Sequence, residues 1–438
     1  MPFKRCLSLL LVCLMLLSLY PAALGESIVL TPNVQSVGYS FSLSGEEYAR
    51  VFYKAATESG NFVVHGENGV FSGEIALPHS AAGSNVTVTV KTLDDKQRGQ
   101  TQIALPAATD YLAPSGSSSG RVKNLLLTET PEGLQYSFSS TASYLMLHYS
   151  NRQQKGTYPV YPDENGLFSG EILLPLTYSR TLTTVQILSG SGTTLAEEKA
   201  RKGYLAPEAV PSQEGRLSSI TVCIDPGHQE NGRPVSEPVG PGLSGKTAGS
   251  GGMAQGKFTL RKESIVVLEI AMVLRDELIR QGATVVLTRD KEAQFLTNME
   301  RCAIAEEAGA DIMLRLHCDT RESAQKYGIS IYTPFHSTYA QAVADKHGYR
   351  HMGNLLLNAM KQSVGYEQTD ATGFVTLSDQ FVGNNWAKMP CFLIELGFLS
   401  NTHEDYLLSH PHHQQLLSEG MAQGVYDITL YRGLLSGE

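Results

Sequence analysis

The run Ser218–Glu230, SSITVCIDPGHQE, closes an apolar strand pattern with Asp225-Pro226-Gly227 and presents His228 on the next residue. His317 stands near the end of a second apolar run, LRLHCD, and Glu395 interrupts a third, FLIELGF. Glu263 opens the first turn of a long helical pattern. A bare carboxylate inside an apolar strand costs several kcal/mol to bury unless it is paired or bound to a cation, so Glu395 must have a partner. Two imidazoles and a carboxylate are borderline-soft ligands that suit zinc. Three protein ligands leave a fourth position for water, which is the catalytic rather than the structural arrangement. A second carboxylate beside that water would be a general base. The spacing forms no local motif of the HExxH kind. It leaves open that the histidines are satisfied core or loop residues and that Glu395 pairs with Arg289 or Arg315.

The elements around these residues follow one grammar from Leu217 onward. ITVCID, ATVVLTR, DIMLRLHCD, GISIYTP and CFLIELGF read as strands. Between and after them, ESIVVLEIAMVLRDELIRQG, TNMERCAIAEEAGA, Tyr339–Val364 and His412–Tyr431 read as helices. Continuously apolar strands separated by helices predict an α/β domain with a mainly parallel sheet flanked by helices. In such sheets, sites gather beyond the carboxyl ends of the strands, which is where His228, His317 and Glu395 fall.

The first half of the chain is built differently. NGVFSGEIALP at Asn68–Pro78 returns as NGLFSGEILLP at Asn165–Pro175, identical at nine of eleven positions and offset by 97. YSFS at Tyr39 recurs at Tyr136, and YLAP at Tyr111 recurs at Tyr204. Two tandem copies of one module follow from this self-similarity. Short alternating runs such as NVTVTVK, bounded by Gly, Asn, Asp and Ser, predict two tandem β-sandwich modules of the immunoglobulin-like kind. The expected divisions are a leader at 1–25, modules at 26–115 and 121–207, a linker at 208–216 and a catalytic domain at 217–438. Gly116-Ser117-Ser118-Ser119-Gly120 matches a serine-hydrolase elbow only formally; it follows no buried strand and reads as linker.

The first 25 residues read as a secretory signal. Lys4 and Arg5 precede an apolar stretch from Leu9 to Leu19, and Ala23-Leu24-Gly25 is a small-x-small cleavage site. The alternative is an uncleaved anchor. No later segment has the length and apolarity of a membrane span, so the expected location is extracytoplasmic. A formal charge of −9 offers no basic surplus for nucleic acid. Cys223, Cys302, Cys318 and Cys391 lie outside the leader and show no CxxC spacing, so buried free thiols are expected, with disulfides as the alternative.

With these residues in view, the segment 219–432 resembles the zinc-dependent N-acetylmuramoyl-L-alanine amidases of the amidase-3 type, which cut bacterial peptidoglycan. The resemblance rests on Asp225-Pro226-Gly227-His228, a helix opening at Glu263, Leu287-Thr288-Arg289, Leu296 with Arg301, Leu316-His317, and Glu395-Leu396-Gly397-Phe398-Leu399-Ser400-Asn401. It implies His228, Glu263 and His317 as zinc ligands, Glu395 as the catalytic carboxylate, and peptidoglycan as substrate. By location, the repeats would bind wall polymer or protein. The rival readings are a zinc peptidase or deacetylase acting on the wall, and a non-catalytic wall-binding protein.

Three features depart from the family pattern. The 34 residues between His228 and Glu263 include eight glycines and read as a rim or lid, or as a tolerated loop. Arg315 replaces the usual Ser, and His317-Cys318-Asp319 replaces His-x-Asn. Cys318 adjoins a ligand, but strand alternation points it to the opposite face. Asp225 is expected either to orient the His228 ring or to cap the turn. HPHHQQ at His410–Gln415 is expected to cap a helix, and Asn384, Asn385 and Trp386 to form a packed loop.

Overall fold

The computed structural model describes residues 27–77, 81–107, 114–203, 215–230, 235–248 and 253–435. The leader, most of the 208–216 linker and two pieces of the 229–262 insertion lie outside the described residues.

Among the described residues, fourteen strands fill the first half. They are β1 Val29–Pro32, β2 Ser36–Ser42, β3 Tyr48–Lys54, β4 Glu58–His65, β5 Val70–Ala76, β6 Asn85–Lys91 and β7 Gln97–Ala104, then β8 Lys123–Glu129, β9 Gly133–Ser139, β10 Leu145–Ser150, β11 Gln154–Val160, β12 Leu167–Leu173, β13 Leu182–Leu188 and β14 Thr194–Arg201. Alternation sets their faces: Val86, Val88 and Val90 of β6 point inward while Thr87 and Thr89 stay half-exposed. The order β1-β2-β5 makes one three-stranded sheet and β12-β9-β8 another. Inward residues of the first, such as Phe41 and Phe71, share a core with Val51 and Val88 of the neighbouring sheet. Phe138 and Phe168 do the same with Leu147 and Val185. Asn68 and Gly69 both carry positive φ, 52° and 75°, the backbone a two-residue hairpin turn demands.

The remaining strands of both copies form one sheet, β14-β13-β10-β11-β4-β3-β6-β7. Its seam pairs Glu58 with Gly156, Ser59 with Lys155 and Gly60 with Gln154. Gln154, Lys155 and Gly156 open β11 as Glu58, Ser59 and Gly60 open β4, so the register maps onto itself under a two-fold. Edge strands that would otherwise be unpaired thereby cover each other.

The second half contains β15 Thr221–Pro226, β16 Ser236–Pro238, β17 Lys246–Ala248, β18 Thr284–Leu287, β19 Ile312–Asp319, β20 Ile329–Thr333, β21 Gly373–Leu377 and β22 Cys391–Phe398. Its helices are α1 Glu263–Arg280, α2 Asn298–Glu307, α3 Thr338–Val343, α4 Lys346–Ser363, α5 Val382–Trp386, α6 Thr402–Leu408 and α7 Pro411–Tyr431. The main sheet runs β18-β15-β19-β22-β20-β21. Four of its pairings are parallel and one, β20 with β22, is antiparallel. The sheet is therefore mainly parallel, as expected, with a single antiparallel pairing that makes it mixed. The connection from β19 to β20 contains no helix, and a short link returns a strand in the opposite direction. Strand β21 and helices α5 and α6 were not foreseen; all are short.

Helix α2 starts in a capping box: Thr297 Oγ1 accepts from Glu300 N at 3.2 Å, and Glu300 Oε2 accepts from Thr297 N at 2.7 Å. The two halves meet through Tyr48, Val63 and Leu93 packed on Tyr406 and Leu407. The Arg50 guanidinium lies 4.4 Å from the centre of the Tyr406 ring. The ring centres of His65 and His412 lie 3.8 Å apart.

Candidate metal centre

The first ligand candidate is delivered by a strained turn. His228 has φ of 57°, a left-handed conformation that costs a non-glycine residue roughly 1–2 kcal/mol. Backbone donors and acceptors around it are bracketed. Gly227 N donates to Leu316 O at 2.8 Å. Arg289 Nε donates to Pro226 O at 2.9 Å and its Nη2 to Gly227 O at 2.8 Å. Arg301 Nη2 donates to His228 O at 2.9 Å. A Cβ at Gly227 would sit 2.4 Å from Cε1 of His317, so only glycine lets the two histidines approach.

Glu263 comes from the first residue of α1 and is 2% exposed. His228 Nε2 lies 3.2 Å from its Oε2, and His317 Nδ1 lies 3.1 Å from its Oε1. Ala254 N and Cys318 N each donate to it at 3.0 Å. Burial works against the charged form of Glu263, but the two imidazoles outweigh it and hold the carboxyl well below its usual range. Burial pushes His317 down to about 4, so its ring is neutral at physiological pH. One ligand atom from each of His228, Glu263 and His317 lies within 4.8 Å of the others.

Glu395 stands on β22 directly opposite His317 of β19. Burial, with the Glu263 and Asp319 carboxylates, pushes its proton affinity well above the usual carboxylate value. Its Oε2 and the Nε2 of His317 are buried without a hydrogen-bond partner. Two orphaned polar atoms, beside the His228 imidazole and an ionised carboxylate, fit a divalent cation and its water: the donors are nitrogen and oxygen, and they converge. The structure thus brings all four sequence-singled residues to one sheet end.

Asp225 does neither of the things expected of it. It is fully buried and accepts from Arg301 Nη1 at 2.5 Å, Arg315 Nε at 2.8 Å and Thr288 Oγ1 at 2.6 Å. Both of its oxygens are engaged there, below the site. Burial raises its proton affinity, yet the two guanidiniums win and hold the carboxyl far below the usual range. Arg315, the departure from the family pattern, is half of this clamp and also reaches Asn298 Oδ1 at 2.8 Å. The alternative pairing of Glu395 with Arg289 or Arg315 is not what these arginines do: Arg289 braces carbonyls and Arg315 holds Asp225.

The described parts of the 229–262 insertion are anchored. Glu237 of β16 accepts from Asn298 N and Met299 N at the start of α2, at 3.1 and 2.8 Å. Trp386 Nε1 donates to Pro238 O at 2.9 Å and Asn385 Nδ2 to Val239 O at 2.9 Å, so the stretch is packed as expected but is the helix α5 rather than a loop. Asp405 of α6 accepts from Phe258 N, Thr259 N and Thr259 Oγ1 at 2.8, 2.9 and 2.6 Å. His410 caps α7, accepting from His412 N at 3.2 Å. All four cysteines of the second half are free and buried.

Sequence reasoning did not single out Asp405 or Glu237, and took Arg301 only as a landmark. Arg301 carried a readable signal, because a charged residue just inside a capping box, facing an apolar strand with its own Asp, asks for a pairing.

Residues 222–427 match the family profile of the N-acetylmuramoyl-L-alanine amidases, Amidase_3. The amidase AmiC of Escherichia coli O6:H1 is 25% identical over 258 residues, covering 52% of this chain and 59% of its own length. The amidase LytC of Bacillus subtilis is 27% identical over 210 residues, covering 48% of this chain and 35% of its own. The chain therefore spans less than two thirds of these relatives. The crystal structure of apo Ami1 from Mycobacterium abscessus aligns with 48% of this chain and 99% of its own, at 16% identity and a TM-score of 0.42.

Removing the Asp225 charge leaves two buried guanidiniums uncompensated, and Asp225→Asn should lower stability by about 3–5 kcal/mol. The sign follows from the depressed pKa. The Asp225 contribution is fully present above the unfolded-state value of about 3.9 and is lost only as pH falls below it. Thermal unfolding of both proteins from pH 8 to pH 3 checks this. A constant gap down to about pH 4 that then narrows is expected; no gap at pH 7 contradicts the clamp.

Proposed function

Residues 222–427 belong to the Amidase_3 family of N-acetylmuramoyl-L-alanine amidases, and from that premise we propose that the protein is a secreted, zinc-dependent hydrolase of bacterial peptidoglycan. The bond cut is the amide between the lactyl group of N-acetylmuramic acid and L-alanine of the stem peptide. The observation that carries this reading is the convergence of His228, Glu263 and His317 within 4.8 Å, faced by Glu395 with an unpartnered buried oxygen.

His228, Glu263 and His317 would hold the metal. When bound, zinc supplies Lewis-acid polarisation of a carbonyl and acidifies water. Glu395 takes a proton from the attacking water and delivers it to the leaving alanine nitrogen. A buried carboxylate with raised proton affinity suits both transfers, since it must accept and then release. The neutral, low-pKa ring of His317 stays available as a ligand instead of being protonated.

The leader at 1–25 would export the chain, and each copy of the repeat reads as an immunoglobulin-like β-sandwich, with its own three-stranded sheet packed on the four strands it contributes to the shared eight-stranded sheet. Among the described residues no helix is long and apolar enough to cross a membrane. The repeats are read as wall-binding. A groove of about 620 Å³ crosses their seam, lined by Phe52, Lys54, Arg152 and Lys155 with amides and hydroxyls, and among the described residues no carboxylate lines it. In a chain of net charge −9, such a cationic groove favours an anionic polymer.

Two experiments test these readings. Glu395→Ala should retain bound zinc yet lose about 10²–10⁴-fold in release of stem peptides from purified peptidoglycan. Mass spectrometry of wild-type digests should show free L-alanine amino termini. Cleavage elsewhere in the peptide, or loss of acetyl groups, would instead assign a peptidase or a deacetylase. Reversing the groove charges with Lys54→Glu, Arg152→Glu and Lys155→Glu should reduce co-sedimentation with purified wall at low salt; unaltered co-sedimentation removes the groove from wall binding.

A further inference from the structure

Loop 176–180 of the second repeat, between β12 and β13, reaches across to the catalytic half at two points. Arg180 Nε donates to Glu292 Oε1 at 2.8 Å, and Arg180 also pairs with Glu129 of its own repeat. Glu292 is 7% exposed, and its carbonyl accepts from Glu230 N at 2.9 Å, two residues past His228. Its neighbour Lys291 offers its carbonyl to Arg289 Nη1 at 3.3 Å, and Arg289 brackets Pro226, Gly227 and Ser264. The first contact thus bears on the segment that delivers His228.

The second contact bears on Glu263. The Arg261 guanidinium lies 5.1 Å from the Tyr178 ring centre, and its Nη2 donates to Ser179 O at 3.2 Å. Arg261 also pairs with Glu269 of α1 and is 5% exposed. It stands two residues before Glu263, in a stretch whose backbone is tied by Gly256 N to Arg261 O at 2.8 Å and by Glu263 N to Ala254 O at 2.9 Å. Its Nε and Nη1 are buried without hydrogen-bond partners, so cation–π contact with Tyr178 is the compensation available to them.

The loop itself is stiff. Tyr178 N donates to Gln153 Oε1 at 2.7 Å, Gln153 Nε2 to Leu176 O at 2.9 Å, and Lys202 Nζ to Thr177 O at 3.1 Å. Gln153 O in turn accepts from Asn61 N of the first repeat at 2.8 Å, across the seam. A rigid body from the repeats therefore presses on both chain segments that carry ligand candidates, and sites of this kind need ligands held to within about half an ångström.

We propose that loop 176–180 of the second repeat is a working part of the metal site: Arg180 and Tyr178, acting through Glu292 and Arg261, are positioning residues that set how tightly His228, Glu263 and His317 hold their metal. The repeats are then a structural wall of the catalytic half and more than an appended binding module. The inference rests on the reading of those three residues as ligands. Supporting residues outside the ligand shell typically change metal affinity by about 10–100-fold when removed.

The test measures zinc affinity of the full chain by competition with a chromophoric chelator, without substrate. Tyr178→Ala with Arg180→Ala should weaken zinc binding about tenfold, while Arg180→Lys, which keeps a cation near Glu292, should restore most of the loss when Tyr178 is intact. Arg50→Ala removes the stacking on Tyr406 elsewhere in the same docking face and should leave zinc affinity within about twofold of wild type. Wild-type affinity in the double variant overturns the proposal. So does an equal loss in Arg50→Ala, which would make the effect one of docking in general. Because no bond is cut in the assay, a failed amidase reading would leave its result standing, and the reverse holds as well.

Discussion

The structure depends on keeping one carboxylate, Glu263, ionised at 2% exposure between two imidazole rings. Isolated in an apolar interior, that charge would take up a proton, and the convergence of donors would be lost. Four contacts prevent this: two backbone N–H groups and two histidines. Each contact imposes a demand elsewhere. Room for His317 requires glycine at 227, and the reach of His228 requires a left-handed backbone. The strain of that turn is held in place by Arg289 and Arg301, both nearly fully buried and both donating to turn carbonyls.

Beneath the site lies a second electrostatic layer with a different purpose. Asp225, Arg301 and Arg315 form a buried charge cluster joining β15, α2 and β19, the elements that fix where the His228 turn and His317 stand relative to each other. Such clusters contribute little net stability but penalise any other arrangement of their elements, because each partner left alone is costly. The site therefore rests on a layer that defines geometry, and the metal-facing groups above it are free of that task. Glu404 adds a similar brace at the far end of β22: it accepts from Gly328 N and Phe398 N at 2.8 and 2.7 Å, and burial lifts its carboxyl to about 7.

Much of this was legible in the residues. The Asp-Pro-Gly-His run marks a strand end followed by a constrained turn, and His228 is found there. Apolar strands spaced by helices placed α1, β15, β19 and β22 close to their observed bounds, while the single helix expected over Tyr339–Val364 is split into α3 and α4. The internal repeat announced two equivalent units. What stayed hidden involves direction and long-range partnership. The apolar run of β20 is the same whether it lies parallel or antiparallel to β22, so its reversal left no trace in composition. The partners of Asp225 lie 76 and 90 residues away, and nothing local distinguishes a charge that caps a turn from one that closes a buried cluster. The joining of β4 to β11 was equally silent, because an exposed strand edge and a paired one read alike. The docking of Tyr48 and Arg50 onto Tyr406 belongs to the same class: these residues look like ordinary surface positions on an alternating strand.

The central question for the site is whether three distant residues, His228, Glu263 and His317, bind one ion through nitrogen and oxygen alone. Zinc K-edge X-ray absorption on the purified full chain addresses this directly. The account predicts a first shell of light atoms at about 2.0–2.2 Å, two of them imidazole nitrogens, and no sulfur. A sulfur scatterer at about 2.3 Å, as Cys318 would supply, or a chain that retains no zinc, would contradict it.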